Sequence, residues 1–182
     1  MKNQFTIYML LLMIAIIVSG CASPAKMENM TISSENWGQY EGSEQLKENI
    51  FVDNVSGGSG TNPLWTSEIS SEDFKQALIN SLADAQLLDK LSENSDYSLN
   101  AVLVEVDQPI LGASMTVTTI VTYSLVNNET KEEIFYKEIT APYTAEWNDA
   151  FLGVERLRLA NEGSARENIK SLIEELYDVK LE

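Results

Sequence analysis

The side chains that could carry chemistry in this sequence are a single cysteine, Cys21, and 28 carboxylates, and the chain has no histidine. Without histidine, a serine or cysteine nucleophile lacks the base that usually activates it. A zinc site built from several cysteines is excluded as well. The carboxylates leave open a hydrolase that uses two acids, for instance Asp53 with Glu105 or Asp107. Among 28 acids such pairs arise by chance, and the sequence predicts no metal or cofactor site.

Cys21 follows a segment that has the features of a secretory signal peptide. Lys2 supplies a positive charge, a mainly apolar run extends from Phe5 to Val18, and two small residues precede the cysteine. The run is short for a transmembrane helix, which needs about 20 apolar residues. The pattern predicts a leader over residues 1–20 that is removed on export. An uncleaved membrane anchor is the alternative.

The residues Val18-Ser19-Gly20-Cys21 resemble the lipobox of bacterial lipoproteins. The resemblance implies that the Cys21 thiol carries a diacylglycerol, that cleavage occurs before it, and that the new amino terminus is acylated. A thiolate suits such alkylation, and two or three acyl chains on one residue anchor a protein stably. Ala22 follows the cysteine, which in a Gram-negative lipoprotein implies the periplasmic side of the outer membrane. In other bacteria the resemblance implies a lipid anchor in the cell membrane.

Composition predicts one acidic domain behind a tether. Removal of the leader leaves 162 of the 182 residues and takes the formal net charge from −16 to −17, because Lys2 is lost. Such a surface repels nucleic acid and anionic lipid headgroups, so no nucleic-acid partner is expected. Residues 21–48 are rich in polar and small residues without a period, which predicts a lipidated amino terminus and a flexible tether. Residues 49–182 form the single globular domain.

The periodicity of apolar residues predicts the order strand, helix, three strands, helix. Ser70 is the predicted cap of the first helix, and Gly163 is a mild weakness within the second. The predicted strands cover Ile50–Val55, Tyr97–Val106, Ser114–Val126 and Glu132–Ala141, with Pro142 closing the last, and the helices cover Ser71–Leu88 and a long segment that begins between Asp149 and Val154. This order predicts an α+β two-layer sandwich, a small four-stranded sheet with two helices packed on one face.

Two resemblances follow from these segments. The element order resembles the small outer-membrane lipoproteins of the lipopolysaccharide-assembly type. Residues 61–78 and 141–169 are similar to an uncharacterised group of bacterial lipoproteins. Both resemblances imply an envelope protein, and neither implies a particular activity.

Loop aromatics are the predicted binding residues. Leu64 and Trp65 precede the first helix, and Tyr143, Trp147 and Phe151 precede the second. Aromatic side chains on loops often anchor interfaces, although they also close the open end of a small sandwich. Further along, the spacing of Arg156 and Arg158 with Glu162 is typical of ion pairs on a helix surface.

Together these features predict a non-enzymatic, lipid-anchored envelope lipoprotein that faces the periplasm. It would act as an accessory or interaction module in envelope assembly or transport. Its partners would be the membrane, through the lipid on Cys21, and an envelope protein. The first alternative is a binding protein for a small apolar or lipid ligand, held in a hollow core lined by Val102, Val117 and Leu172. The second is the carboxylate-dependent hydrolase.

Overall fold

The computed structural model describes residues 22–33, 35, 40, 42–59, 67–89 and 95–181. The predictions that concern Cys21, Leu64 and Trp65 lie outside the described residues. The elements are, in chain order, α1 (Met27–Met30), β1 (Ile50–Ser56), α2 (Ser71–Asp84), β2 (Tyr97–Asp107), β3 (Met115–Asn127), β4 (Glu133–Ala145) and α3 (Gly153–Tyr177).

The strands form one sheet in the order β1-β2-β3-β4. β1 and β2 are parallel and joined through α2, whereas β2, β3 and β4 form an antiparallel meander. Buried and more exposed residues alternate along β3 from Met115 to Leu125, because the helices cover only one face of the sheet. The predicted α+β sandwich is confirmed.

The face of the sheet opposite the helices is exposed to solvent, and one residue that is predicted to line the core lies on it. Val102, with Val104 and Tyr136, is exposed there. Val117 and Leu172 are fully buried between the sheet and the helices. The three residues named for a hollow core therefore do not surround one cavity, because successive strand residues point to opposite faces.

Helix α2 begins as predicted and ends earlier. The Ser70 hydroxyl accepts a hydrogen bond from the Asp73 amide at 3.0 Å, the geometry of an N-cap. The helix ends at Asp84 rather than Leu88. Gln86 adopts a left-handed φ of 57°, and the Leu87 carbonyl accepts a hydrogen bond from the amide of Asn49 at 3.1 Å. Leu87 thus leaves the helix to support the start of β1.

Strand β4 continues past Pro142, where the sequence predicted its end. β4 lies at the edge of the sheet, and Pro142 is exposed in register with Thr118. An edge strand tolerates proline because one side of its backbone needs no donor. The prediction that Pro142 closes the strand is wrong.

Helix α3 is joined to the sheet by buried polar side chains as well as by apolar ones. The Ser164 hydroxyl accepts from the amide of Thr119 at 2.9 Å and donates to the carbonyl of Ala141 at 2.7 Å. The Asn168 carboxamide accepts from the Tyr123 hydroxyl at 2.9 Å. Burial raises the pKa of Tyr123, so this hydroxyl stays protonated and remains a donor. These bonds fix the position of α3 on β3 and β4.

Residues 22–33 pack on the domain instead of leading away from it. The Ala25 amide donates to the Glu68 carbonyl at 3.1 Å, and the Ile32 amide donates to the Ser81 hydroxyl of α2 at 2.9 Å. Ala25 and Ile32 are buried in the main core. This part of the chain differs from the flexible tether predicted over residues 21–48.

Candidate functional site: an apolar end of the sandwich

Two neighbouring loops expose apolar side chains at one end of the sandwich. The β2–β3 loop presents Ile110 and Leu111, which are 94% and 88% exposed, and the β4–α3 loop presents Phe151 and Leu152, at 88% and 44%. Single exposed apolar residues are common, but a contiguous group marks an interaction surface. We call these four residues the apolar end.

A surface cavity of about 330 Å³ lies between the two loops. Its lining is mainly apolar and is formed by the non-polar residues Pro109, Ile110, Leu111, Met115, Leu152, Gly153, Val154 and Leu157. Met115 and Leu157 also belong to a second, smaller core cluster beneath the cavity. The cavity therefore has a packed floor and apolar walls, which suits an apolar group rather than a polar substrate.

Arg156 holds the two loops in place. Its Nη1 atom donates to the carbonyls of Ala150 at 2.7 Å and Phe151 at 3.1 Å, and its Nη2 atom reaches the carbonyl of Gly112 at 3.5 Å. The guanidinium also lies 4.8 Å from the ring centroid of Trp147, a cation–π distance. One buried cation thus fixes both loops, so the apolar end is presented in a defined conformation.

The predicted residues Trp147 and Phe151 lie at or beside the apolar end. Trp147 is 61% exposed and stacks on Arg156. The backbone around Trp147 forms a turn, in which the Glu146 amide donates a hydrogen bond to an Asp149 carboxylate oxygen at 2.7 Å. Both aromatic side chains are available to contact another molecule.

Tyr143 serves the packing of the domain instead. Its ring lies directly against Gly163 of α3, where an added Cβ would come within 2.2 Å of the Tyr143 Cδ1 atom. The Arg166 guanidinium lies 5.7 Å from the centroid of the same ring. Gly163 is therefore required for close approach of β4 and α3 and is not the mild weakness that helix propensity alone predicts.

Sequence reasoning missed Ile110, Leu111 and Leu152. The segment Pro109-Ile110-Leu111-Gly112 lies between the predicted strands Tyr97–Val106 and Ser114–Val126, where the sequence predicts no more than a connecting loop. Loops are usually polar, so two large apolar residues between a proline and a glycine are the signal that could have identified them. Their exposure could not be predicted, because it depends on whether a neighbouring element covers the loop.

Arg156, Arg158 and Glu162 of α3 are buried, so the pair that Arg158 forms with Glu162 lies in the interior and not on the helix surface as predicted. Arg158 bonds to both Glu155 and Glu162, and Glu162 is 1% exposed. Glu162 also accepts hydrogen bonds from the Lys26 amide at 2.9 Å and the Asn29 side chain at 2.8 Å. The Arg158 hydrogen bond lowers the pKa of Glu155. The cluster fastens the amino-terminal segment to α3.

The carboxylates proposed for hydrolysis do not meet. Asp53 lies beside the Asn54–Asn100 pair of the β1–β2 register, five residues from Glu105 on β2. At a strand rise of about 3.3 Å per residue, this places the two roughly 16 Å apart along the sheet, and Asp107 is farther still. Within the described part of the chain, no group of three or more His, Cys, Asp or Glu residues is arranged to hold a metal.

The helices among the described residues are also not of the membrane-spanning kind, since none combines sufficient length with sufficient apolar character.

Comparison with solved structures shows where this fold has been seen. The protein XCC0632 from Xanthomonas campestris, of the DUF330 family, is similar at 8% identity with a TM-score of 0.53, over 76% of this chain and 90% of that one. A candidate lipoprotein from Caulobacter crescentus is 14% identical with a TM-score of 0.49, over 78% of this chain and 94% of that one. The PelC protein from Paraburkholderia phytofirmans, solved as a dodecamer, is 14% identical with a TM-score of 0.44, over 72% of this chain and 90% of that one.

Of these three, the Xanthomonas protein alone exceeds a TM-score of 0.5, and at 8% identity the similarity shows a shared fold only. The predicted resemblance to the lipopolysaccharide-assembly lipoproteins is not confirmed by these structures. No protein-family model and no curated protein matches the chain. The chain is thus similar in fold to a protein of the DUF330 family.

Proposed function

We propose that this protein is a lipid-anchored envelope lipoprotein whose folded domain is a non-enzymatic interaction module. The apolar end is its contact surface. The observation that carries this role is the exposure of four apolar side chains on two loops that one buried arginine holds in place. A surface that is both apolar and ordered favours binding, since little conformational entropy is lost on contact.

The anchoring part of the proposal is supported by the sequence. The leader with its apolar run and the residues Val18-Ser19-Gly20-Cys21 match the requirements for export and lipid attachment. Cys21 is the only thiol in the chain, which leaves a single position for the lipid. We propose the periplasmic side of the outer membrane in a Gram-negative cell, because Ala22 rather than aspartate follows the cysteine.

The anchor is tested by Cys21→Ser. The variant lacks the thiol that would carry the diacylglycerol and that cleavage requires, so we expect its intact mass to lack the acyl chains and to include the leader. Ser19→Ala is the control, because it keeps a small residue before the cysteine and should keep the acylated, cleaved mass. A Cys21→Ser variant with the same acylated mass as the parent would contradict the proposal.

The contact surface is tested by photocrosslinking in intact cells. A benzophenone side chain at Phe151 should give adducts of lipid or protein. The matched control is the same probe at Tyr136, which is 62% exposed on the open face of the sheet. Equal yields at both positions would mean that the apolar end has no special role in contact.

A second candidate function is favoured by the cavity at the apolar end. Its volume of about 330 Å³ and its apolar lining fit part of an acyl chain, as in a carrier for a small apolar ligand. A fluorescent fatty acid should then bind with a defined stoichiometry, and Leu157→Phe, which fills the floor of the cavity, should weaken it. Binding that Leu157→Phe leaves unchanged would count against this function.

A further inference from the structure

We propose that the occupant of the apolar end is the membrane itself. Ile110, Leu111, Phe151 and Leu152 insert into the interfacial region of the same leaflet that holds the lipid on Cys21. The domain then lies against the bilayer in one orientation. This inference deepens the proposed function and rests on lipid attachment at Cys21.

The first step is that the attachment point is next to the folded domain. Ala25 is 2% exposed and packs in the main core, so only three residues, of which Ser23 and Pro24 are exposed, separate Cys21 from the packed chain. Consecutive Cα atoms are only about 3.8 Å apart. Four such steps span at most about 15 Å, so a lipid on Cys21 would hold the domain close to the bilayer surface, without a long tether between them.

The second step is that the amino-terminal segment reaches the same end of the sandwich as the two apolar loops. The Ala25 amide bonds to the carbonyl of Glu68. The carbonyl of the adjacent Ser67 accepts from the Gln108 side chain at 3.0 Å and from Asn161 at 2.7 Å. Gln108 directly precedes the Pro109–Gly112 loop. Residue 25 is thus linked, through two contacts, to the base of the β2–β3 loop.

The direction of the segment along α3 leads to the same result. Asn29 accepts a hydrogen bond from Arg166 through its carbonyl at 2.8 Å and donates to Glu162 through its side chain, whereas the Lys26 amide donates to Glu162. The contacts of residue 29 thus extend about one turn farther from the amino terminus of α3 than the backbone contact of residue 26. Leu152 lies at that terminus. The segment leads from residue 29 back to residue 26 in the direction of the apolar end, and in the proposed arrangement the lipid on Cys21 lies at that side of the domain.

The third step is chemical. The exposed side chains are purely hydrocarbon, and Trp147 stands beside them with an amphipathic ring of the kind enriched at membrane interfaces. An anchor at the same end keeps the local concentration of lipid high, so even weak insertion is populated. Glu146 and Asp149 are exposed beside the apolar end. Their charges favour zwitterionic lipid headgroups over anionic ones.

The test uses the full-length lipidated protein in phosphatidylcholine vesicles that contain nitroxide-labelled lipids. Phe151→Cys is labelled with the environment-sensitive fluorophore NBD. Because Cys21 is alkylated in this protein, it takes no label. Tyr136→Cys is the matched control on the open face of the sheet, and Ile110→Cys repeats the test on the other loop in case Phe151→Cys folds poorly.

We expect nitroxide lipids to quench NBD at positions 151 and 110 at least threefold more than at position 136. Equal quenching at all three positions would overturn the inference. An NBD signal at position 151 that shifts to the blue with protein concentration but is not quenched by lipid would also overturn it, because a second copy of the chain would then cover the surface.

Vesicle flotation and the mass of the intact protein report separately on the proposed function. A protein without acyl chains that fails to float contradicts lipid anchoring. A lipidated protein that floats but shows no selective quenching contradicts only the membrane insertion of the apolar end.

Discussion

At the residue scale, Gly163 illustrates how a contact can reverse an intrinsic preference. In an isolated helix, alanine is more favourable than glycine by about 1 kcal/mol. Here the ring of Tyr143 occupies the space that a Cβ would need, with the nearest ring atom at 2.2 Å. Because Gly163 has no side chain, β4 and α3 can pack closely against each other at this position.

We therefore expect Gly163→Ala to lower the free energy of unfolding by about 1–3 kcal/mol, as other overpacked core positions do. The midpoint of urea denaturation measures this change. Gly153→Ala is the matched control in the same helix, since its Cβ would meet Met115 and Arg156 only at 3.5 and 3.7 Å. A Gly163→Ala variant as stable as the parent would mean that Tyr143 moves aside without cost.

At the element scale, α3 does three different things along its length. Its first turn carries Arg156, which fixes the loops of the apolar end. Its middle carries Glu162, which binds the amino-terminal segment. Its next turns carry Ser164 and Asn168, which bond to the sheet. The burial of polar side chains on this helix follows from these three tasks.

We expect Glu162→Gln to loosen the amino-terminal segment. Hydrogen bonds to a charged group contribute about 1.5–3 kcal/mol, so hydrogen exchange of the amides in residues 25–31 should become at least tenfold faster. Glu174→Gln is the control, because the Glu174 side chain is 58% exposed on the same helix and pairs with Lys170. Unchanged exchange in the Glu162→Gln variant would show that apolar contacts alone hold residues 22–33.

The elements were largely predictable, whereas their ends and partners were not. Alternation from Met115 to Leu125 and the Ser70 cap are local signals, and both are confirmed. The end of α2 depends on Leu87 pairing with Asn49, a contact between distant parts of the chain. The packing of residues 22–33 depends on Glu162, 136 positions from Lys26. Such long-range partners leave no periodic pattern in a single sequence.

At the scale of the whole molecule, the dominant property is the negative charge. The full chain carries a formal net charge of −16, and removal of the predicted leader would make it −17. Where that charge lies relative to the membrane could not be predicted, because the apolar end and the course of residues 22–25 emerge only from the fold. A strongly acidic protein held against a bilayer must tolerate, or avoid, the charge of that bilayer.

We expect anionic lipid to weaken insertion of the apolar end and salt to restore it. With a third of the lipid anionic, nitroxide quenching at position 151 should fall at 10 mM salt and recover at about 0.5 M, where the Debye length is only a few ångströms. Vesicles of phosphatidylcholine alone are the control and should show little dependence on salt. Stronger quenching with anionic lipid at low salt would contradict this view of the surface charge.

The bond between Lys26 and Glu162 has a consequence for how the protein is made. Synthesis proceeds from the amino terminus, and the antiparallel meander β2–β4 consists of neighbouring segments that can pair early. The first residues of the domain can bond to Glu68 and to Ser81 of α2 early, but their bonds to Glu162 and Arg166 form only when α3 has been synthesised. A chain that is cut short before α3 therefore leaves part of the apolar face of the sheet uncovered and the amino-terminal segment only partly bonded. We therefore expect chains that lack α3 to be degraded by proteases, and chains that contain α3 to fold and resist degradation.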